Sequence, residues 1–301
     1  MWQPEPGWRR LSGAGPSTSG VWSARRGPVD VVVKRLQAPA AHDPVDYSDP
    51  HNPAWWRREA DLALSGDLDS TAGLRAPRTV AVEEDVEGIT LVVEHVEAVQ
   101  TSGLFRAAAL GRFAGAEVPQ RPWAVADQLR YRLGLVARRG GWPVLARTSV
   151  ADAADHLWQR RESYLAQLDT LPRVPQHGDP TRQNLRGRVG PEDVVAIDWS
   201  GYGTGPVGSD LGLLALAERE SFAPLLEAHL GALPAGLARR EQVELGARIT
   251  VVFTALTRAD WALARVAGGE GALAGKFRHP SVKPHLLALQ RQFDHVEALL
   301  G

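Results

Sequence analysis

Residues 176–211 read QHGDPTRQNLRGRVGPEDVVAIDWSGYGTGPVGSDL and set His177, Asp179, Asn184 and Asp198 at spacings that suit one chemistry, phosphoryl transfer from a metal–nucleotide complex. Asp179 and Asn184 fall within one short loop. Asp198 follows the β-formers Val194-Val195-Ala196-Ile197, which places it at the end of a predicted strand. Two carboxylates and one amide oxygen on adjacent loops can receive a substrate hydroxyl and hold a divalent metal together. Phosphoryl transfer needs little more, because it is mostly positioning and charge stabilisation.

The rest of the chain agrees with an ordinary globular protein. It has 301 residues, 44% hydrophobic and 23% charged, with a formal net charge of −1. That balance supplies no basic field for nucleic acid and no polybasic membrane anchor. Cysteine is absent, which excludes a disulfide framework and thiolate chemistry. The first residues, MWQPEPGWRR, lack an apolar signal core, and the expectation is a cytoplasmic protein, monomer or homodimer. Of 34 basic residues only Lys34, Lys276 and Lys283 are lysines. In so arginine-rich a chain, the ammonium in Val31-Val32-Val33-Lys34-Arg35-Leu36 stands out as a compact charge able to grip phosphate.

Up to Glu97 the chain reads as β-rich. Val21–Ala24 and Val29–Leu36 are predicted strands around the turn Gly27-Pro28, and Arg78–Glu83 and Ile89–Glu94 form a second pair. Asn52-Pro53 carries the N-cap and N1 pattern of a helix running to about Leu64. Beyond Glu97 the spacing predicts helices over about 102–116, 123–138, 150–168, 210–220, 222–230, 240–266 and 280–300. The expected class is α+β, a small antiparallel-sheet lobe (1–97) joined to a larger helical lobe (98–301). A cleft between such lobes is a common ligand site.

His177-Gly-Asp179-x-x-x-x-Asn184, Ile197-Asp198-Trp199 and Gly205-Pro206…Asp210-Leu211 together resemble the aminoglycoside phosphotransferase and choline-kinase-like family. Its members are small-molecule kinases of protein-kinase-like fold, and several motifs in order are more specific than any one alone. The resemblance implies ATP, with GTP as the alternative, and Mg2+. It makes Asp179 the residue that orients the acceptor hydroxyl and accepts its proton, and Asn184 and Asp198 the metal ligands. His177 is implied to brace the loop, and Asp210 to receive loop N–H groups; capping the helix at Leu211 is an equal reading for Asp210.

Lys34 would contact the α- and β-phosphates and pair with Glu59 in Trp55-Trp56-Arg57-Arg58-Glu59-Ala60, with Asp61 as the fallback. The plainer alternatives are a snorkelling strand lysine and a solvated helix face. Gly13-x-Gly15-x-x-x-x-Gly20 is two residues longer than the protein-kinase glycine loop, and the N–H groups of Ser17, Thr18 and Ser19 would cover terminal phosphates. Glu94 and Val96 would pair with a purine through their backbones. Arg182 is either a phosphate contact or a surface arginine. The expected acceptor is an aminoglycoside-like antibiotic, an amino sugar or a similar metabolite. A cationic one calls on Glu218, Glu220 or Asp260, with Trp261 beside it. The competing class is a non-catalytic nucleotide-binding protein on a kinase-like scaffold.

Overall fold

Alternation in Val29–Gln37 builds the first layer. Val31 and Val33 point to one face and are fully buried with Val92, while Val32 and Lys34 point to the other. A computed structural model describes residues 2–12, 17–142, 149–266 and 279–300. In it, β1 (Arg9–Leu11), β2 (Thr18–Arg26), β3 (Val29–Gln37), β5 (Thr79–Asp85) and β6 (Gly88–Glu94) form one antiparallel sheet in the order β1-β2-β3-β6-β5. Lys34 therefore sits on the central strand, opposite Val21 on β2 and Leu91 on β6. Trp2, Trp8 and Trp22 cluster together, with ring centroids 5.2–6.3 Å apart.

Helix α1 (Arg58–Ser65) packs Ala60 against Leu36 and Ile89 of this sheet and ends at Gly66 in the left-handed conformation. It opens five residues later than the Asn52-Pro53 signal predicts. The buried Arg58 guanidinium takes the carbonyls of Asn52 (2.6 Å) and Pro53 (2.8 Å), and the Asn52 side chain accepts from the Ala54 N–H. Those groups close turns in place of a helical ladder.

β4 (Leu74–Arg75) lies between α1 and β5 in the chain but pairs in parallel with β9 (Asp193–Ala196), in a three-stranded sheet with β8 (Leu185–Val189). β7 (Arg173–Gln176) pairs with β10 (Gly203–Pro206). Around these lie α2 (Gly103–Ala114), α3 (Gln128–Arg138), α4 (Ser149–Gln159), α5 (Arg161–Asp169), α6 (Ser209–Ala217), α7 (Phe222–Ala232), α8 (Arg240–Val266), α9 (Lys283–Gln290) and α10 (Phe293–Leu300). The α8 bounds match the sequence reading. The predicted helix over 150–168 is instead two helices meeting at Arg160, and the one over 280–300 breaks at Arg291 and Gln292. α8 is the pillar of the main core: from Ile249 to Leu256 every side chain is buried, and Ala259, Ala262 and Leu263 extend the contact. That core also takes in Leu62, Leu68 and Leu74, so it reaches beneath the small sheet. Among the described residues no helix is long and apolar enough to cross a membrane.

Candidate active site

A cleft of about 640 Å³ opens between the five-stranded sheet and the helical lobe, within the usual range for small-ligand sites. Its walls carry Val21, Val32 and Lys34 from the sheet, the segment Val93–Val96 from the crossing between lobes, and Asp179, Asn184 and Asp198 from the opposite side. The stretch 176–211 and the distant Lys34 thus share one space.

Lys34 bridges the two lobes. Its Nζ donates to Glu59 Oε2 at 2.5 Å and to Asp198 Oδ1 at 3.0 Å. Burial works against the ammonium, but the two carboxylates more than offset it and hold the lysine above its ordinary range. Burial also opposes charge on Asp198, and the same ammonium keeps that carboxyl below the usual carboxylate range. Glu59 is pushed up by burial, with Lys34 opposing. Asp198 has φ 61 and ψ 62, and among the described residues no other non-glycine has positive φ. Aspartate tolerates that conformation better than most residues, and such strain gathers at functional sites. It turns the chain from β9 into the cleft.

The loop after β7 is held from beneath. Asp210 is buried, and its two oxygens accept from the N–H groups of His177 (2.7 Å) and Gly178 (3.0 Å). Burial pushes its carboxyl up to about 7, the two N–H groups opposing. The capping alternative is corrected: α6 is capped at Gly208, and Asp210 lies inside its first turn facing the loop. His177 is fully buried against Trp199, centroids 4.5 Å apart. Its Nε2–H donates to the Ile197 carbonyl at 3.0 Å, and Nδ1 accepts from the Asp179 N–H at 3.2 Å. Both nitrogens are engaged inside the protein and burial lowers its pKa, so the ring is a neutral brace. Gly178 has φ 83, and a Cβ there would meet the Gly201 carbonyl oxygen at 2.4 Å; only glycine fits.

Asp179 divides its two oxygens. Oδ2 accepts from Asn184 Nδ2 at 3.1 Å, and Oδ1 accepts from Arg258 Nη2 at 3.2 Å. Asn184 also donates to the Asp179 carbonyl (2.9 Å), which leaves its own oxygen free of those bonds and on the cleft wall.

Other expected residues are placed differently. Gly13–Pro16 of the glycine loop lie outside the described residues. Thr18 and Ser19 belong to β2, the Ser17 carbonyl accepts from the Gln37 N–H, and Ser19 Oγ donates to the Gln37 side chain. These contacts lie at one end of the β2–β3 ladder, where it is Leu11, Ser12 and Val21 that line the cleft. Glu94 and Val96 do line it; among the described residues the Val96 N–H has no acceptor, while Arg186 Nε binds the Val96 carbonyl at 2.7 Å. Arg182 is exposed, and its neighbours Thr181 and Gln183 form the wall. Glu218 is corrected: it is buried in an ion pair with Arg106 of α2 (2.7 Å). Glu220 accepts from the Gly103 N–H at 2.7 Å. Asp260 is buried and paired with Arg139, the residue just past α3. Trp261 is half exposed, one turn beyond Arg258, with Arg265 over its ring at 4.7 Å.

Sequence reasoning missed Arg58, which reads as part of a solvated helix face. The buried guanidinium spans the lobes, donating to the carbonyls of Trp123 (2.6 Å) and Ser200 (3.1 Å) as well as those already named. Burial lowers its pKa to about 10. It fixes the turn just after Asp198 to the base of α1, the helix that carries Glu59. Arg132 and Arg258 were missed too, since no local pattern separates them from other helix arginines.

A small antiparallel sheet over a helical lobe, with a lysine–glutamate–aspartate chain across the cleft and a braced Asp179 loop, defines the kinase-like class of phosphoryl-transfer folds. The chain belongs to the APH phosphotransferase enzyme family, whose model matches residues 67–243, more than half its length. It is similar in fold to a choline/ethanolamine kinase family protein from Mesorhizobium loti (18% identity, 94% of this chain and 92% of that one, TM-score 0.57). It is likewise similar to the choline kinase LicA from Streptococcus pneumoniae (14%, 97% and 93%, TM-score 0.57). A third likeness is to the GDP complex of aminoglycoside 2'-phosphotransferase-IIIa (11%, 95% and 92%, TM-score 0.58). No curated protein matches.

Proposed function

We propose that this phosphotransferase moves the γ-phosphoryl group of ATP to a hydroxyl of a small molecule. The observation that carries the reading is Lys34 Nζ, held at once by Glu59 and Asp198 in the cleft that also presents Asp179 and Asn184. Residues 1–97 form the nucleotide-gripping lobe and 98–301 the lobe that receives the acceptor. Lys34 grips the α- and β-phosphates, and the Glu94–Val96 backbone receives the purine. His177 and Asp210 act only through the loop they hold.

The residues present fit magnesium. Asn184 and Asp198 offer hard oxygens, and among the described residues no group of three or more His, Cys, Asp or Glu makes a cage. An ion held by one carboxylate, one amide oxygen, water and nucleotide phosphates matches the preference of Mg2+. When bound it would neutralise charge on the β- and γ-oxygens.

In the transfer the acceptor oxygen forms a bond to the γ-phosphorus as the bond to the β,γ-bridging oxygen breaks. ADP leaves, and the hydroxyl proton passes to Asp179. Candidate acceptors are aminoglycoside-like antibiotics, amino sugars and similar hydroxylated metabolites, the classes named for the structurally similar kinases among them. The test is a screen of hydroxylated compounds for acceptor-dependent ADP release with Mg2+ and ATP. Release that Asp179→Asn abolishes while nucleotide still binds supports the reading. Release that the variant leaves unchanged overturns it.

A further inference from the structure

We infer that the acceptor carries an anionic group, a carboxylate or a phosphate monoester, beside the hydroxyl that is phosphorylated, and that Arg258 with Arg132 receives it. The inference rests on the phosphotransfer reading and, among its candidate acceptors, favours a hydroxylated anionic metabolite over aminoglycosides and amino sugars.

Asp179 is the point of reference. Its Oδ2 faces Asn184 and the nucleotide side; its Oδ1 faces α8, where Arg258 Nη2 lies at 3.2 Å. A hydroxyl that gives its proton to Asp179 must come to that second oxygen. Whatever else the acceptor carries then lies against the Arg258 guanidinium.

A second guanidinium stands behind the first. With its amide oriented to satisfy both neighbours, Gln128 donates to the Gly178 carbonyl at 2.9 Å and accepts from Arg132 Nη2 at 3.0 Å. Arg132 is thereby tied to the same loop as Asp179. Burial first, then the nearby positive charge of Arg258, lowers its pKa to about 10, with Asp179 opposing. Each guanidinium has five N–H donors. Among the described residues Arg258 donates only to Asp179, and Arg132 only to Gln128. Among the described residues most donors of the two forks have no protein acceptor, and a bidentate carboxylate or phosphate would match them.

The charge around this end points the same way. Among the described residues, the three carboxylates expected to serve a cationic acceptor are already engaged: Glu218 by Arg106, Glu220 by the start of α2, and Asp260 by Arg139. Asp179 is then opposed by two guanidiniums, a surplus of positive charge that disfavours an ammonium and favours an anion. Arg258 also occupies the oxygen that must take the proton. An acceptor anion that draws the guanidinium onto itself frees Oδ1, so the same contact that recognises the acceptor releases the base.

The test uses the full-length enzyme with Mg2+ and ATP, and a library of hydroxylated carboxylates and phosphate esters beside neutral and amino counterparts on the same skeletons. Glycerate, glycerol 3-phosphate and glycerol are one set, and gluconate, glucose and glucosamine another. The expected result is that an anionic member exceeds its neutral counterpart by about tenfold or more in kcat/KM. The glycerate and glycerol 3-phosphate arms separate a carboxylate from a phosphate. Arg258→Gln should raise the KM of that acceptor by about tenfold and leave the KM of ATP unchanged, and Arg258→Lys should restore part of the loss. Equal or better turnover of neutral or amino members overturns the inference, as does a library in which no anion responds. If either happens while Asp179→Asn still abolishes turnover, the phosphotransfer reading stands. Anion-dependent ADP release that survives Asp179→Asn overturns the phosphotransfer reading and leaves the charge preference standing.

Discussion

The two ends of the cleft are built in opposite ways. At the nucleotide end, Lys34 lies between Glu59 and Asp198, one cation between two carboxylates, on a central strand, a helix and a strand end. At the other end Asp179 lies beside Arg258, with Arg132 behind, on helices far apart in the chain. The first end is closed on itself, and the proposed function gives it phosphate and metal. The second has donors to spare. The proposed nucleotide end thus comes from compact motifs, whereas the proposed acceptor end exists only once α3 and α8 have packed.

The sharpest way to break this contrast is to remove its two carboxylates. Asp179→Ala and Asp198→Ala should each lower kcat/KM by about 10³-fold, but only Asp198→Ala should also weaken nucleotide binding, measured by calorimetry with Mg2+ and ADP. Equal effects on nucleotide binding would erase the division. Glu218→Ala, which leaves the Arg106 guanidinium buried and unpaired, should cost about 3 kcal/mol in urea unfolding and leave the acceptor KM unchanged. A change in acceptor KM without loss of stability would return Glu218 to the acceptor site. Lys34→Arg keeps the charge but not the compact ammonium between two carboxylates, and a loss on the order of 10²-fold in kcat/KM is expected.

The smallest effect separates the helical lobe from the cleft altogether. Burial pulls His229 and His295 down to about 4, opposed at His229 by the Ala107 carbonyl and helped at His295 by Arg248. Both folded-state values lie below the unfolded value, so the neutral ring favours the fold. Stability should be full above about pH 6.5 and fall as pH drops toward 4. By pH 4.5 each should cost about 2 kcal/mol, read from urea midpoints, and His229→Gln should remove its share.

The convergence of Lys34, Glu59 and Asp198 was legible because each sits in a local pattern. A β-run places Asp198, a five-residue spacing joins Asp179 to Asn184, and one lysine stands among arginines. Pairing Lys34 with Glu59 over Asp61 also agrees with the structure, where Asp61 binds Trp55 and Arg57. The helix start at Asn52 was misplaced because a tertiary contact, Arg58 reaching back to two carbonyls, overrode a good local signal. The acceptor carboxylates were misjudged for a related reason. Glu218, Glu220 and Asp260 read as surface acids until their partners, Arg106, Gly103 and Arg139, arrive from more than a hundred residues away.

The short strand Leu74–Arg75 gives the lobes a second joint. The chain crosses once after Glu94, and β4 joins the β9 ladder of the helical lobe, reinforced by the Gly73 N–H on Asp193. The Arg58 guanidinium on the Ser200 carbonyl is a third tie. Three separated points fasten one lobe to the other, and the scaffold between them sets Lys34 opposite Asp198.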